Sequence, residues 1–319
     1  MNQRLIIGTR SSKLALWQAE YVKSEIEKNF DWLKVELMQM TTKGDKILDA
    51  PLAKIGGKGL FTKELEQAML DKEIDIAVHS LKDMPTEIPS GLCITAITKR
   101  LDAGDALVSP KYKTLDALPE GARVGTSSLR RRAQLLAARP DLKLLDLRGN
   151  VNTRLKKLDD GAYDAIVLAV AGLKRLGFAN RITEILPLSI CLPAVGQGAL
   201  AIETRENDIE VRDMLGFLEN EEMEKCALAE RSFLAVVEGG CQVPVGVYAT
   251  PVISSTATNG KALSVEAVIA SLDGGTMYRD KITGSMSDAK TLGETLANKL
   301  LDAGGINILH DIGLLLDRN

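Results

Sequence analysis

The sequence places hydroxyl side chains where they could hold anions. Two short segments, Gly8–Ser12 and Gly125–Ser128, each join a predicted strand to a predicted helix and contain Thr and Ser. Hydroxyl side chains at such junctions cap free helix N–H groups, and the positive end of the helix dipole favours a bound anion. In isolation, plain helix capping is the simpler interpretation of both segments.

The arginines that follow the second segment favour an anion site. Residues 123–157 hold ten basic and two acidic residues, a balance of +8, although the whole chain has a formal charge of −3. Arg130 and Arg131 fall in the first helical turn, where a cation is unfavourable unless an anion lies nearby. Arg148 follows another predicted strand, and arginine at a strand end binds carboxylate or phosphate through paired hydrogen bonds. The pattern indicates a polyanion site, whereas Arg132 is interpreted as a solvated residue.

A second candidate for chemistry is the segment His79–Thr86, which follows the predicted strand Ile74–Val78. Asp83 alone could cap a turn. Near Lys82 and a cationic pocket it would stay ionised, and such a carboxylate can stabilise a cationic intermediate or shuttle protons. His79 by itself is interpreted as a core histidine. The residues alone leave the role of Asp83 open.

The cysteines and the glycine-rich stretches give weaker signals. No Cys-x-x-Cys pair occurs among the four cysteines, so the sequence predicts no metal site. Cys241 is expected on a loop, because Gly239-Gly240 and Pro244 flank it. The segment Thr41–Gly59 resembles a mobile lid, and its spacing is not that of a nucleotide-binding Walker loop.

Strands and helices alternate along most of the chain and would position these residues. The alternation predicts two successive α/β units, and near-continuous apolar strands such as Ala165–Val170 suit a parallel sheet covered on both faces. From about Glu221 a long helix precedes three predicted strands and a final helix. The fold class is therefore α/β, with two doubly wound domains and a small α+β C-terminal domain.

The composition excludes several other classes of protein. Hydrophobic residues make up 45% and charged residues 26% of the 319 residues, as in ordinary globular proteins. An aromatic content of 4% and a slightly acidic total argue against a nucleic-acid binder that stacks bases. No apolar run approaches the roughly 20 residues of a membrane span, and the first residues lack a signal-peptide pattern. We therefore expect a cytoplasmic protein without a membrane span.

Six segments along the chain carry a family resemblance. They are Gly8–Ala15, His79–Pro85, Gly125–Arg131, Leu147–Arg154, Leu192–Gly198 and Gly240–Gly246. In this order, and over nearly the whole chain, they resemble the porphobilinogen deaminase family, whose members are also called hydroxymethylbilane synthases.

The resemblance implies a transferase of tetrapyrrole and heme biosynthesis. The enzyme would join four porphobilinogen molecules head to tail, with release of ammonia, into the linear tetrapyrrole 1-hydroxymethylbilane. It would hold a dipyrromethane cofactor, built from two porphobilinogen units, through a thioether to Cys241, and would need no metal. The remaining cysteines, Cys93, Cys191 and Cys226, are interpreted as structural. Hand-over of the product to uroporphyrinogen III synthase and a monomeric state are further expectations.

The resemblance also implies roles for individual residues. Asp83 is expected to be the catalytic carboxylate, which contacts pyrrole N–H groups and stabilises the azafulvene cation formed as ammonia departs. The expected cofactor-binding residues are Lys82, Asp83, Ser128, Arg130, Arg131 and Gln197. The expected substrate-binding residues are Arg10, Ser12, Thr126, Arg148, Arg154 and Arg175. Lys54, Lys58 and Phe61 are assigned to a lid and to packing by the cofactor, although Phe61 is equally explained as a core residue at a helix start.

The two α/β domains would resemble type II periplasmic binding proteins. The domains are assigned to residues 1–98 plus 199–216, to the cationic residues 104–192, and to residues 221–319 with the cofactor cysteine loop. Hinges are expected near Lys99–Gly104 and Leu192–Gly198. The resemblance to binding proteins supplies an alternative function, a non-enzymatic anion-binding module, which the lack of a signal-peptide pattern and the presence of Cys241 oppose.

A nucleic-acid binder that uses Arg130–Arg132 is a third function class. Because basic residues displace counterions condensed on nucleic acid, this hypothesis predicts salt-dependent affinity for DNA or RNA. We expect no specific binding of this kind.

Overall fold

A computed structural model describes residues 4–46, 59–237, 243–253 and 260–313 of the chain. Its strands are β1 (Arg4–Arg10), β2 (Lys34–Met40), β3 (Ile76–Ser80), β4 (Leu92–Ile97), β5 (Asp105–Val108), β6 (Arg123–Gly125), β7 (Lys143–Leu145), β8 (Ala165–Ala169), β9 (Glu184–Ile185), β10 (Leu200–Arg205), β11 (Val245–Ile253), β12 (Lys261–Ala270) and β13 (Met277–Ser285). Its α-helices are α1 (Lys13–Asn29), α2 (Lys43–Lys46), α3 (Lys63–Leu70), α4 (Leu129–Ala138), α5 (Val151–Asp159), α6 (Val170–Arg175), α7 (Ile209–Leu215), α8 (Glu221–Val236), α9 (Ala289–Leu300) and α10 (Ile306–Asp311).

Two five-stranded sheets share one topology. The first sheet has the order β2-β1-β3-β10-β4 and the second β7-β6-β8-β5-β9. In each, three neighbouring strands are parallel, and the fourth strand in the order runs antiparallel to both of its neighbours. In the second sheet this antiparallel strand is β5, which the chain reaches from the first sheet through residues 98–104. In the first sheet it is β10, which the chain reaches from the second sheet through residues 186–199. The two sheets are therefore joined by two chain crossings.

The third sheet, β11-β12-β13, is antiparallel, and α8 and α9 pack on it. Its core, with Phe233 fully buried, is continuous with side chains of the first sheet's domain, such as Leu81 and Ile97. The predicted fold class of two α/β domains and a small α+β domain is thus confirmed. Within the described ranges, no helix combines the length and apolar character that a membrane crossing requires.

The structure corrects two sequence-based expectations about the sheets. The strand predicted over Ile74–Val78 lies at Ile76–Ser80, because β10 pairs with it as far as Ser80. The apolar strand at Ala165–Ala169 suits a parallel sheet, and β8 does pair in parallel with β6, yet β5 on its other side is antiparallel to it, as β10 is to β3 in the first sheet. An apolar run indicates that both faces of a strand are buried, but it does not indicate whether the neighbouring strands run parallel or antiparallel to it.

A buried ion pair ties both chain crossings to the third domain. The Glu230 carboxylate, fully buried on α8, accepts hydrogen bonds from the Arg100 guanidinium at 2.7 Å and from the backbone N–H of Gly196 at 2.6 Å. It also accepts from the N–H of Ala249 on β11 at 2.8 Å. Since Arg100 and Gly196 belong to different crossings, one side chain holds both against the third domain.

Candidate functional site

A polar cleft lies where the two α/β domains and the third domain meet. Its main cavity has a volume of about 520 Å³, and a second cavity of about 220 Å³ shares several lining residues with it. The residues common to both are Phe61, Lys82, Asp83, Arg131, Arg148, Arg154 and Gln197. The second cavity is also lined by Leu234, Val243 and Val245 from the third domain. We call the two cavities together the cleft.

The lining of the cleft is strongly cationic. Seven basic side chains line it: Arg10, Lys82, Arg130, Arg131, Arg148, Arg154 and Arg175. Among the described residues that line it, Asp83 is the single carboxylate. A cleft with this excess of positive charge favours a ligand that carries several negative charges. Asp83 places one negative charge at a defined position in it.

Three helices begin at the cleft, each with a side-chain cap. Ser12 Oγ accepts from the N–H of Ala15 in α1 at 3.3 Å, and Ser128 Oγ accepts from that of Arg131 in α4 at 3.4 Å. Asn150 Oδ1 accepts from the N–H of Thr153 in α5 at 3.0 Å. The positive ends of three helix dipoles therefore add to the charge of the basic side chains.

The arginine pair of α4 is held by a buried acid. The Asp105 carboxylate, fully buried at the start of β5, accepts from Arg130 at 2.6 Å and from Arg131 at 2.7 Å. Burial alone would raise the pKa of the Asp105 carboxyl, but the two guanidiniums outweigh it and hold that pKa well below its usual range. Removing one partner of such a buried pair costs about 3–5 kcal/mol, so both arginines are firmly placed.

This pair corrects the electrostatic argument made from the sequence. The sequence predicts an anionic ligand beside the first-turn arginines, whereas Asp105 supplies an anion from within the chain. Each guanidinium has five N–H donors, so binding to Asp105 leaves donors for a ligand in the cleft that Arg130 and Arg131 line. Their role as cofactor-binding residues stays a prediction.

Gln197 links this cluster to the other α/β domain. Its side-chain amide donates to Asp105 Oδ1 at 2.9 Å and to the Ala103 carbonyl at 2.7 Å. Its Oε1 accepts from Lys82 Nζ at 3.3 Å. Because Gln197 lies on the second chain crossing, a single side chain connects both domains at the cleft.

Lys82 and Asp83 lie in a short 3-10 turn that directly follows β3. The residues on either side, Leu81 and Met84, are buried in the core shared with the third domain. Gly196 has a φ of +70° and approaches Leu81 so closely that a Cβ would come within 2.6 Å of its side chain. Apolar anchors on both sides thus fix the turn, while the two charged side chains face the cleft.

Burial perturbs three of the cationic groups. It lowers the pKa of the Lys82 ammonium to about 8, against the opposing effect of Asp83. It also lowers the pKa of Arg154 to about 10, helped by the like charges of Arg131 and Arg148, and that of Arg175 to about 10. Because burial destabilises the charged form of these groups, an anionic ligand would stabilise that form more than it would at an exposed site.

Phe61 faces the cleft. The Arg10 guanidinium lies 4.2 Å from the centre of its ring, a cation–π contact that orients both side chains. Phe61 lines both cavities of the cleft, and its packing against the cofactor stays a prediction.

Not every residue singled out from the sequence is at the cleft. Thr126 is buried, its hydroxyl accepts from the N–H of Ser128 at 3.2 Å, and it lines neither cavity. His79 pairs with the fully buried Glu203 at 2.9 Å, as the core interpretation predicts. Cys241, Lys54 and Lys58 lie outside the described residues.

Sequence reasoning missed two residues that shape the site. Asp105 opens an otherwise apolar strand and lies 25 residues before Arg130, so no local pattern connects them. Asn150 caps α5 and lines the main cavity. Its position before an apolar-periodic helix was a usable N-cap signal. No group of three potential ligands that could hold a metal ion occurs in the part of the chain that the structure describes.

Sequence comparisons match the chain over nearly its full length. A family model described as porphobilinogen deaminase, dipyromethane cofactor binding domain, matches residues 5–213, and one described as porphobilinogen deaminase, C-terminal domain, matches residues 224–302. The porphobilinogen deaminase of Trichlorobacter lovleyi is 51% identical over 310 residues, which cover 97% of each chain. That of Lawsonia intracellularis is 49% identical over 314 residues, 98% of this chain and 100% of the relative.

Solved structures with a related shape are more distant. The methionine binding protein MetQ aligns with 68% of this chain and 89% of its own, with a TM-score of 0.44 and 17% identity. The periplasmic VFT2 domain of Bordetella pertussis BvgS aligns with 67% of this chain and 86% of its own, with a TM-score of 0.41 and 16% identity.

Proposed function

The chain belongs to the porphobilinogen deaminase family and is a tetrapyrrole-polymerising enzyme, and from this premise we propose how its cleft performs the reaction. Four porphobilinogen molecules are joined head to tail in the cleft to give 1-hydroxymethylbilane. The cations hold the acetate and propionate side chains, Asp83 is the catalytic residue, and Cys241 carries the cofactor. The alternative of a non-enzymatic anion-binding module is not favoured by the family match.

One observation supports this proposal most: among the described residues that line the cleft, Asp83 is the single carboxylate beside seven basic side chains. Every pyrrole unit brings two carboxylates, which explains the excess of positive charge. The same excess opposes any positive charge that develops on the substrate ring. A fixed carboxylate offsets that repulsion at one point, and this is where the chemistry would take place.

Each addition has a simple balance. A carbon–carbon bond forms between the aminomethyl carbon of one porphobilinogen and the free α-carbon of the preceding ring. The carbon–nitrogen bond of the aminomethyl group breaks, and the departing amine takes up the equivalent of the proton lost by the α-carbon and leaves as ammonia. The hydroxyl group of the final 1-hydroxymethylbilane comes from one water molecule. Asp83 accepts hydrogen bonds from pyrrole N–H groups and stabilises the ring as it becomes cationic.

The residues around the second cavity fit a dipyrromethane group. Arg130, Arg131 and Lys82 offer donors for its carboxylates, and Val243 and Val245 supply apolar contacts for its rings. Val243 lies two residues after Cys241, so the cavity is within reach of a group attached there. When bound, the cofactor supplies a terminal pyrrole whose free α-carbon receives the first substrate.

An assay with porphobilinogen tests the proposal. We expect the purified protein to release one ammonia for each porphobilinogen consumed and one linear tetrapyrrole for every four. Binding of porphobilinogen without its consumption would instead support the anion-binding module.

Lys82 gives the reaction a specific dependence on pH. Because its pKa is lowered from 10.5 to about 8, Lys82 loses its charge, and its attraction for a carboxylate, as pH rises through about 8. We expect kcat/KM of the wild type, which reports the free enzyme, to fall over that range. Lys82→Arg keeps a charged group at any working pH, so the fall should move to higher pH. Identical pH profiles for the two proteins would refute this role.

For a biosynthetic enzyme of this kind we also propose a cytoplasmic location, a monomeric state and hand-over of the product to uroporphyrinogen III synthase.

A further inference from the structure

Two aromatic side chains of α1 stack on each other beside the cleft. The rings of Trp17 and Tyr21 are stacked, with centroids 5.7 Å apart and planes within 4° of each other. Both remain open to solvent, with exposures of 36% and 41%. Leu14, one helical turn before Trp17, lines the main cavity. The aromatic surface therefore continues the α1 wall of the cleft outward.

Arg175 connects this surface to the cleft. It lines the main cavity, and its guanidinium lies 5.8 Å from the centre of the Trp17 ring. The side chain is only 8% exposed, and Nη2 donates to the Gly198 carbonyl at 2.8 Å. Nε is buried without a hydrogen-bond partner among the described residues, and the groups that shift the pKa of this guanidinium include Tyr21 and no carboxylate. A buried arginine in this situation is suited to an anion that arrives from outside.

The size of the cleft indicates why the elongating chain would need a further binding site. The main cavity, of about 520 Å³, falls in the range of about 300–1,000 Å³ that holds one drug-sized ligand, and the second cavity, of about 220 Å³, lies below that range. On the proposed function, the chain at completion carries six pyrrole rings and twelve carboxylates, which is far larger than such a ligand. The later rings therefore need a place outside the two cavities.

We propose that Trp17, Tyr21 and Arg175 form a subsite at the mouth of the cleft that holds a pyrrole ring of the elongating chain once the chain has outgrown the cavities. The pyrrole ring stacks on the aromatic pair, and Arg175 binds one of its carboxylates. This inference rests on the proposed function and assigns to the aromatic pair a role in the later additions only.

Intact mass spectra of the enzyme, taken at intervals after a limited dose of porphobilinogen, resolve the additions one by one. In Trp17→Ala we expect normal early additions, later additions slowed about tenfold, and accumulation of partly elongated chains. Trp17→Phe keeps an aromatic ring and should restore the wild-type series. Trp32→Ala is the matched control, since Trp32 is 45% exposed and lines neither cavity.

Tryptophan fluorescence tests the subsite in a protein whose Trp17 is intact, so it does not depend on the turnover of Trp17→Ala. The chain has two tryptophans, so Trp32→Phe leaves Trp17 as its only one. Its emission should change when the later rings are added and stay constant through the first addition. A wild-type mass series in Trp17→Ala, or constant Trp17 emission through every addition, would overturn the subsite while leaving the proposed function intact. A wild-type protein that gains no pyrrole mass would overturn the proposed function and the subsite with it.

Discussion

Asp83→Asn is expected to fold normally, keep its cofactor and lose nearly all turnover. The substitution preserves shape but removes the negative charge from a turn that Leu81 and Met84 anchor in the core. Among the described residues that line the cleft no other carboxylate is available to replace it. A carboxylate that assists proton transfer and stabilises a developing cation contributes about 10²- to 10⁴-fold, so kcat should fall by that factor.

Asp146→Asn is the matched control for this prediction. Asp146 is an exposed acid that follows β7 and lines neither cavity, so its variant should turn over like the wild type. Thermal unfolding of both variants shows whether the fold is kept, and intact mass shows whether the cofactor is kept. Near-normal turnover by Asp83→Asn would refute the catalytic assignment.

Cys241→Ser is expected to fold and to lack the thioether-linked cofactor. A serine hydroxyl is a far weaker nucleophile than a thiolate, so the bond to the pyrrole unit should not form in the normal way. Without a covalently held primer, steady-state production of tetrapyrrole should be almost abolished. Intact mass of the purified variant, followed by an assay for 1-hydroxymethylbilane, measures both effects.

Cys93→Ser controls for the general effect of replacing a thiol. Cys93 is half-buried, and its sulfur lies 3.5 Å from the Thr95 hydroxyl, so a serine is readily accommodated. That variant should keep the cofactor and its turnover. A cofactor retained by Cys241→Ser, or lost by Cys93→Ser, would contradict the assignment of Cys241.

The cationic lining of the cleft was predictable from local sequence. The run of basic residues that follows Gly125 indicated it, because such a charge signal lies within a short segment. Ser12 and Ser128 do cap α1 and α4 at the cleft. The predicted α/β alternation likewise follows from periodicity in short windows.

The contacts that complete the site were not predictable, because they join residues distant in the chain. Asp105 lies on β5, whereas Arg130 and Arg131 lie on α4, and the strand β6 separates the two elements in the chain. Gln197 reaches Lys82 across 115 positions, at a chain crossing that no local pattern reveals. The direction of β10, and hence the place of the turn that holds Asp83, also depends on pairing between remote strands.

Intact mass of the purified wild-type protein, with peptide mapping around Cys241, tests most directly whether Cys241 carries the cofactor. We expect a mass excess that equals two linked pyrrole units and is confined to the peptide that contains Cys241. This single result would establish the cofactor and its attachment site together. An unmodified chain that gains no such mass after incubation with porphobilinogen or preformed 1-hydroxymethylbilane would contradict the assignment of Cys241 and the proposed reaction.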